Sequence, residues 1–319
     1  MRWRGNRRVS FAVAIRLGLK GVDRWRAIPV LRPRRDGVPQ DGLSGWLNEY
    51  PSSSASSIPA KNAWTAPAWR SCSSCRPRSL CSMFVSFETS GAVTLVRIDR
   101  PPANAINLEL LDELVAALEG LAADVPAAVV IAGRDGFFSA GVDLKAAAGY
   151  APDQQRRMVS GINRMVLATY GMSCPVIAAV TGHAIAGGLV LALCADLRIA
   201  SLEGRYGLTE VKVGVPFPRA AIGIVRAELA THAARSLVLS NRLIDGREAL
   251  RLGLFDEAPS PDAVLTRAVE VATEMATLPA DAYATTKREL RNSTLSAIKA
   301  AVESEPLLEG WLSGNPLPR

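Results

Sequence analysis

Three short and continuously apolar segments, separated by stretches with helical spacing, most constrain the fold of this chain. Ala127 to Ala132, Val176 to Val180 and Leu197 to Ala200 each have the length of a strand. Strands that are buried on both faces appear as unbroken apolar runs, and parallel neighbours need a crossover between them. The pattern therefore predicts an α/β domain with right-handed crossovers and a largely parallel sheet.

The segments that flank this pattern predict further regular structure. Phe84 to Glu88 and Ala92 to Ile98 have strand composition, and Ser90-Gly91 between them is typical of a tight turn. Asn107 is a candidate N-cap for a helix with leucines on one face. The chain is predicted to be almost entirely helical from Arg219 onward, over 219–229, 231–240, 245–252, 261–277 and 280–304.

The positive charge of the chain belongs to its first 82 residues. The whole chain has 37 Lys plus Arg, 30 Asp plus Glu and a formal net charge of +7. Residues 1–82 hold 15 of the basic and 4 of the acidic side chains, so the rest of the chain has an excess of acid. We therefore expect no nucleic-acid partner for residues 83–319.

Residues 1–82 also differ from the rest in composition. They contain five of the six tryptophans, a Ser-rich stretch from Pro51 to Ser57, and no sustained apolar period. We interpret them as a poorly ordered leader, or as an extension upstream of a natural start at Met83. The Arg-rich and acid-poor composition also resembles an organelle transit peptide. The predicted organisation is a leader over 1–82 and one folded domain over 83–319.

Cys72, Cys75 and Cys81 lie in the leader with spacing that metal or redox sites use. A structural zinc site needs four ligands, and no histidine lies within a hundred residues of this cluster. We therefore predict no metal site, and we predict that Cys174 and Cys194, which lie in apolar runs, are reduced core residues.

Residues 165–195 contain no charged side chain, which meets the length criterion for a membrane span. Cys174-Pro175 and Gly187-Gly188 interrupt the stretch. We interpret it as the end of a buried helix, a buried strand and the start of a second buried helix, and we expect no membrane association.

Two glycine-containing turns, Phe137 to Leu144 and Thr181 to Gly188, are candidates for chemistry. Glycine lets the backbone approach a ligand closely, and amides at a helix start favour negative charge. Two amides directed at one point form an oxyanion hole, which stabilises an enolate. Each turn by itself is weak evidence, since Gly-Gly at a helix start usually reflects only close packing.

Together with their neighbours, these turns resemble the crotonase superfamily, the enoyl-CoA hydratase/isomerase family. The order and spacing of the motifs hold from about residue 84 to about residue 305. The matching segments are Arg100 to Ile106, Phe138 to Leu144, Pro175 to Val180, Gly182 to Gly188, Ala195 to Ala200 and Tyr206 to Val211.

The resemblance implies a crotonase (ClpP/crotonase-like) α/β fold, a spiral of ββα units with a helical C-terminal trimerisation region. It places the core at about 84–260 and the helical region at about 261–312. It further implies a homotrimer or hexamer in the cytoplasm that acts on an acyl-CoA thioester. The CoA thioester is then the substrate, and no separate cofactor is expected.

The family's site residues can be placed on this sequence. Its two oxyanion amides fall on Val142 and Gly187, which would bind the thioester carbonyl. Its groove for the nucleotide and pantetheine falls on Ala103, Ala140, Val142 and Leu144. The predicted substrate-binding set also contains Gly187, Gly188 and Val190.

The most specific implication of the resemblance concerns the residue that acts as acid and base. Hydratases of the family carry two glutamates, and their positions correspond to Val190 and Glu210 here. An apolar Val190 breaks the pair that holds water, whereas a single carboxylate suffices to move a proton from C2 to C4. Glu210 therefore favours Δ3-Δ2 isomerisation, and we expect burial to raise its pKa toward neutrality. Pro218 falls where dienoyl-CoA isomerases keep another acid, which argues against that branch.

Three alternatives remain open: an enoyl-CoA hydratase proper, an acyl-CoA-binding member without catalysis, and RNA binding through the basic leader. Among other polar candidates, Asp143 is predicted to order its turn and His183 to be packed. Asp196 and Arg198 are predicted to be structural. The tail lacks the family's late lysines, so the contact to the CoA phosphate is not assigned.

Overall fold

The computed structural model describes residues 70–71, 83–308 and 311. The predicted leader and its three cysteines lie outside the described residues, apart from one short strand. Strand β1 (Arg70–Ser71) pairs antiparallel with β2 (Val85–Ser90) at the edge of the main sheet. This added strand was not predicted from the sequence.

The main sheet contains six strands, numbered here along the chain, in the order β1-β2-β3-β4-β6-β8. Strands β2 and β3 (Val93–Ile98) form the predicted antiparallel hairpin. Strands β4 (Ala128–Ala132), β6 (Val176–Val180) and β8 (Leu197–Ala200) continue it in parallel. The three apolar segments are thus confirmed as parallel neighbours.

Helices cover both faces of the main sheet, which explains why its central strands are apolar throughout. Helices α1 (Leu108–Ala123) and α3 (Pro152–Tyr170) pack together over one face, and α8 (Val264–Met275) covers the other. Asn107 caps α1 as predicted, since its side-chain oxygen accepts from the amide of Leu110 at 3.0 Å. Five of the six leucines of α1 are buried, and the sixth, Leu121, is partly buried against the core.

The uncharged stretch 165–195 contains the end of α3, strand β6 and helix α4 (Gly187–Leu193), as the sequence predicted, and also a short strand (His183–Ile185) that was not predicted. Cys174 and Cys194 are both buried and unpaired. Over the described residues, no helix combines the length and the apolar character that crossing a membrane requires.

A second, smaller sheet was missed by the sequence analysis. Its strands are β5 (Phe137–Ser139), β7 (His183–Ile185), β9 (Arg205–Gly207) and β10 (Ile244–Asp245), in the order β10-β9-β7-β5. Strands β5, β7 and β9 are parallel. Each has only three residues, too few for a recognisable alternation of side chains.

From Arg219 onward the described chain is largely helical, as predicted, apart from the two-residue strand β10. Helix α9 (Ala280–Glu303) is held by a largely buried ion-pair cluster, because Asp196 accepts from Lys287 at 2.6 Å and from Arg291 at 3.0 Å. This contact fixes the long helix against the end of α4. The remaining helices are α2 (Leu144–Ala147), α5 (Arg219–Glu228), α6 (Thr231–Ser240), α7 (Gly246–Arg251) and α9 (Ala280–Glu303).

Candidate active site

The small sheet brings three distant loops to one edge. The carboxyl ends of neighbouring parallel strands lie at the same edge of a sheet, so the segments that follow β5, β7 and β9 meet there. These segments contain Val142, Gly187 and Glu210, respectively. All three residues line one cavity, which encloses about 550 Å³ when its opening toward solvent is counted.

Hydrogen bonds within the fold shape the loop after β5. The Ser139 hydroxyl donates to the Asn104 carbonyl at 2.7 Å and accepts from the Gly141 amide at 3.1 Å. Ile106 then pairs with this loop: its amide donates to the Gly141 carbonyl at 2.7 Å, and its carbonyl accepts from Asp143 at 2.9 Å. The amide of Val142, between these two contacts, has no acceptor among the described residues.

Asn104 connects this loop to the main sheet. Its buried side chain donates to the carbonyls of Ile98, at the end of β3, and Phe138, in β5, at 2.9 Å and 3.1 Å. Its side-chain oxygen accepts from the Arg100 amide at 2.7 Å. One asparagine thereby fixes the position of β5, and of the loop that follows it, relative to the core.

The loop after β7 ends in an unusual backbone conformation. Ala186 has φ 51° and ψ −126°, a combination that favours glycine. Its amide donates to the carbonyl of Gly207, at the end of β9, at 2.8 Å. The next residue, Gly187, is the first of α4, so its amide has no partner within the helix and none elsewhere among the described residues.

The two loops touch directly at glycine positions. Gly141 has φ 78°, and a Cβ atom there would lie 2.8 Å from the Ile185 carbonyl and 3.1 Å from the Gly187 amide nitrogen. A Cβ at Gly188 would lie 2.3 Å from the Ser139 carbonyl. Both glycines are required by close packing, and this packing brings the Val142 and Gly187 segments together.

Glu210 lies in the third loop, after β9. Its carbonyl accepts from the amides of Val213 at 3.2 Å and Val215 at 2.9 Å, which closes a 3₁₀ turn over Val211–Val213. Its Oε2 atom is buried without a hydrogen-bond partner. Burial raises the pKa of Glu210 to about 7 and outweighs the opposing effect of a backbone hydrogen bond. The arrangement places a proton-accepting group and two unpaired amides around the same cavity.

The remaining predicted site residues divide into two groups. Ala140 and Leu144 line the cavity, together with Val142 and Gly187. Ala103, Gly188 and Val190 are not among its lining residues. The carbonyl of Ala103 accepts from the Ala140 amide at 3.0 Å and so helps to hold the loop after β5 in place. Val190 is fully buried in the core, so the position of the hydratases' first glutamate holds an apolar side chain.

The other polar candidates serve the structure. Asp143 caps α2 and pairs with Arg100 at 3.1 Å, as predicted. The Nδ1 atom of His183 accepts from the Arg205 amide at 3.0 Å, and its ring packs on Phe137. Burial lowers the pKa of His183, and the residue does not line the cavity.

Several lining residues were not predicted as part of the site. Except for Thr209 they are apolar. Ala186 follows β7, Thr209 and Val213 belong to the Glu210 loop, and most of the others come from α3, from the segment before α5 and from α5 itself. Apolar types carry no chemical signal. Trp311 is the exception, because it is the single tryptophan of the sequence after Trp69. The unpredicted lining residues are Ile162, Ala186, Thr209, Val213, Val215, Pro218, Ala221 and Trp311.

Comparison with known families identifies the chain. Residues 88–308 match the family model described as enoyl-CoA hydratase/isomerase. The chain belongs to this family. The resemblance to the crotonase superfamily is thereby confirmed, and so is the α/β crotonase fold, since the solved structures below share it.

Enoyl-CoA hydratases are among the curated relatives of this family member. A putative enoyl-CoA hydratase of Thermus thermophilus is 36% identical over 191 residues, which cover 58% of this chain and 75% of the relative. The probable enoyl-CoA hydratase EchA17 of Mycobacterium tuberculosis is 33% identical over 226 residues, which cover 70% and 86%.

Solved structures of the family include proteins described as hydratases and as isomerases. An enoyl-CoA hydratase, EchA3 of Mycobacterium marinum, is 30% identical and matches with a TM-score of 0.65 over 69% of this chain and 96% of its own. Human mitochondrial Δ3-Δ2-enoyl-CoA isomerase is 26% identical and matches with a TM-score of 0.63 over 70% and 92%.

Proposed function

We propose that this chain is an enoyl-CoA isomerase that converts a 3-enoyl-CoA into the 2-enoyl-CoA. One observation carries the proposal: Glu210 is the only titratable side chain among the described residues that line the cavity. A single carboxylate can remove and return a proton, whereas the hydratases of the family use two. The predicted site residues Val142 and Gly187 supply the amides in this proposal.

The reaction follows from these three groups. The Glu210 carboxylate takes a proton from C2, and the electron pair of that C–H bond passes toward the thioester carbonyl. The resulting dienolate carries its negative charge on the carbonyl oxygen, where the amides of Val142 and Gly187 donate to it. The protonated Glu210 then returns the proton to C4, the double bond moves to C2–C3, and the carbonyl reforms.

The environment of Glu210 suits both halves of this cycle. A pKa of about 7 makes the carboxylate a stronger base than an exposed glutamate and makes the protonated form a usable acid at neutral pH. The unpartnered Oε2 atom leaves a lone pair available for the proton of C2. The apolar lining keeps the carboxyl group out of water and thereby maintains the raised pKa.

Hydration of a 2-enoyl-CoA is the second candidate, since several relatives are named enoyl-CoA hydratases. Hydration requires a water molecule that one group positions while another transfers a proton. The buried Val190 supplies no polar atom for this purpose. We therefore expect hydration to be slower than isomerisation in this chain.

The test compares the wild-type chain with Glu210→Gln on matched 3-enoyl and 2-enoyl thioesters. We expect Glu210→Gln to reduce the kcat/KM of isomerisation by at least about a hundredfold, the usual contribution of a general base. Hydrogen exchange at C2 in D2O should be lost in the same variant. In the wild type, kcat/KM should rise with pH and level off above about pH 7, as Glu210 ionises.

Glu203→Gln is the matched control, because Glu203 is an exposed glutamate seven residues away. It should retain wild-type activity. Faster hydration than isomerisation would establish the hydratase instead. Acyl-CoA binding without turnover or C2 exchange would identify a non-catalytic member, and activity that survives Glu210→Gln would remove Glu210 from the mechanism.

A further inference from the structure

The side chain of Trp311 forms part of the wall of the active-site cavity. Only 4% of this residue is exposed, and its indole nitrogen donates to the Pro216 carbonyl at 3.2 Å. Pro216 lies in the segment that joins the Glu210 turn to helix α5. A residue from the far C-terminal part of the chain is thus built into the wall beside the proposed base.

Glu305 fixes the tail that carries Trp311. Its buried carboxylate accepts from the Arg219 amide at 2.6 Å and from the Asn163 side chain at 3.2 Å. Asn163 in turn accepts from the Ala220 amide at 3.1 Å. Helix α5 has no side-chain cap of its own, so Glu305 and Asn163 bind the first two amides of the helix.

This anchoring limits where Trp311 can lie. Glu305 is only six residues before it, and the 3₁₀ turn Pro306–Leu308 between them packs against α3. Residues 305–308 are therefore attached to α3 and α5 at once, the two helices that contribute Ile162 and Ala221 to the same wall. The indole is a fixed boundary of the cavity and follows from the fold of this single chain.

The wall around Trp311 suits a hydrocarbon chain. Ile162, Val213, Val215 and Ala221 present aliphatic side chains. The polar side chains in the described lining, Thr209 and Glu210, are adjacent in the third loop. A substrate that places its thioester carbonyl at the amides would extend its apolar acyl chain along the aliphatic wall.

We propose that Trp311 closes the acyl end of the cavity and restricts this enzyme to short acyl chains. The inference rests on the proposed function, because it assumes that an acyl-CoA thioester occupies the cavity. An indole ring is large and has few rotatable bonds, so it cannot move aside as a flexible side chain would. Acyl chains that extend beyond the indole lose their fit, and shorter chains do not.

The first test measures kcat/KM for a series of 3-enoyl-CoA substrates from four to twelve carbons. We expect Trp311→Ala to raise the ratio of kcat/KM for ten carbons over four carbons by roughly tenfold or more, since one methylene in a closed pocket is worth that much. Trp311→Phe retains an aromatic wall and should give an intermediate ratio.

A variant that should shift the chain-length preference in the opposite direction distinguishes the proposal from a general loss of folding. Ala221 is a buried alanine of α5 that lines the same wall. Ala221→Leu adds side-chain volume to this wall while the residues of the tail stay unchanged. It should shift the preference toward shorter chains, with the ten-to-four ratio falling by roughly tenfold. Leu239→Ala, at an exposed leucine outside the lining, should leave the ratio unchanged.

Binding of saturated acyl-CoA separates this proposal from the proposed function. Calorimetry with saturated thioesters of the same lengths measures binding and requires no turnover. Subtracting the tryptophan fluorescence of Trp311→Phe from that of the wild type isolates the signal of Trp311. Free CoA should not alter that signal, whereas acyl-CoA should. If the variants shift the chain-length preference of acyl-CoA binding but the protein shows no isomerase activity, the proposed function is overturned and the role of Trp311 is retained. A preference that neither Trp311→Ala nor Ala221→Leu shifts would overturn the role of Trp311.

Discussion

Ala186 holds a backbone conformation that favours glycine, directly beside the Gly187 amide. A non-glycine residue in such a region costs about 1–3 kcal/mol, and the surrounding structure must maintain it. The hydrogen bond from the Ala186 amide to the Gly207 carbonyl provides that constraint, and the Gly141 loop packs so closely that a Cβ at Gly141 would lie 2.8 Å from the Ala186 Cβ. The strained alanine thereby helps to fix the direction of the Gly187 amide.

We predict that Ala186→Gly stabilises the protein by about 1 kcal/mol, because relief of the strain exceeds the entropy that glycine loses on folding. Urea denaturation would measure the change. Ala300→Gly is the matched control, since Ala300 is exposed within α9 and should lose about 1 kcal/mol instead. Equal destabilisation of both variants would contradict the strain at Ala186.

At the scale of elements, a cluster of polar groups around Asp196 holds helix α9 against the main body of the fold. Asp196, at the end of α4, accepts from the Val176 amide at 2.7 Å as well as from Lys287 and Arg291. Arg291 also donates to the carbonyls of Tyr170 and Ala195. The sequence analysis predicted that Asp196 is structural, and this network gives the reason: it joins β6, α4 and α9.

We predict that Asp196→Ala destabilises the fold by about 3–5 kcal/mol, because it leaves two buried cations without their carboxylate. The side chains of Lys287 and Arg291 are each only 6% exposed. Glu119→Ala, which breaks the exposed pair with Arg164, should cost less than about 1 kcal/mol. Chemical denaturation of both variants checks the difference, and similar losses would contradict the role of burial.

Across the whole molecule, Glu210 links the proposed catalysis to stability. Its pKa of about 7 in the fold lies above the ordinary value of 4.5, so folding favours the protonated form. The stability associated with that proton is present below pH 4.5 and is lost as the pH rises through 7. A shift of this size corresponds to at most about 3 kcal/mol.

We predict that Glu210→Gln stabilises the protein at pH 8 by about 1–3 kcal/mol and changes its stability little at pH 4. Denaturation of both proteins at the two pH values measures this difference. The control Glu203→Gln should show no such dependence. A variant that gains nothing at high pH would place the Glu210 carboxyl group in water and remove the basis of its raised pKa.

Much of the main sheet was predictable, because long apolar segments and capped helices carry local signals. The hairpin, the three parallel strands, helix α1 and the C-terminal helices follow from patterns within single segments. The small sheet was not predictable in this way. Its strands have only two or three residues, and what defines them is pairing with segments that lie far apart in the chain.

The sequence by itself determined the family, through motifs whose order and spacing persist along the chain, and it determined that position 190 holds no carboxylate. Only the tertiary structure decided that Val142, Gly187 and Glu210 share one cavity, that Val190 faces the core, and that Trp311 closes part of the wall. The physical reason is that residue identities are local, whereas burial and the convergence of loops arise from packing between segments distant in the chain.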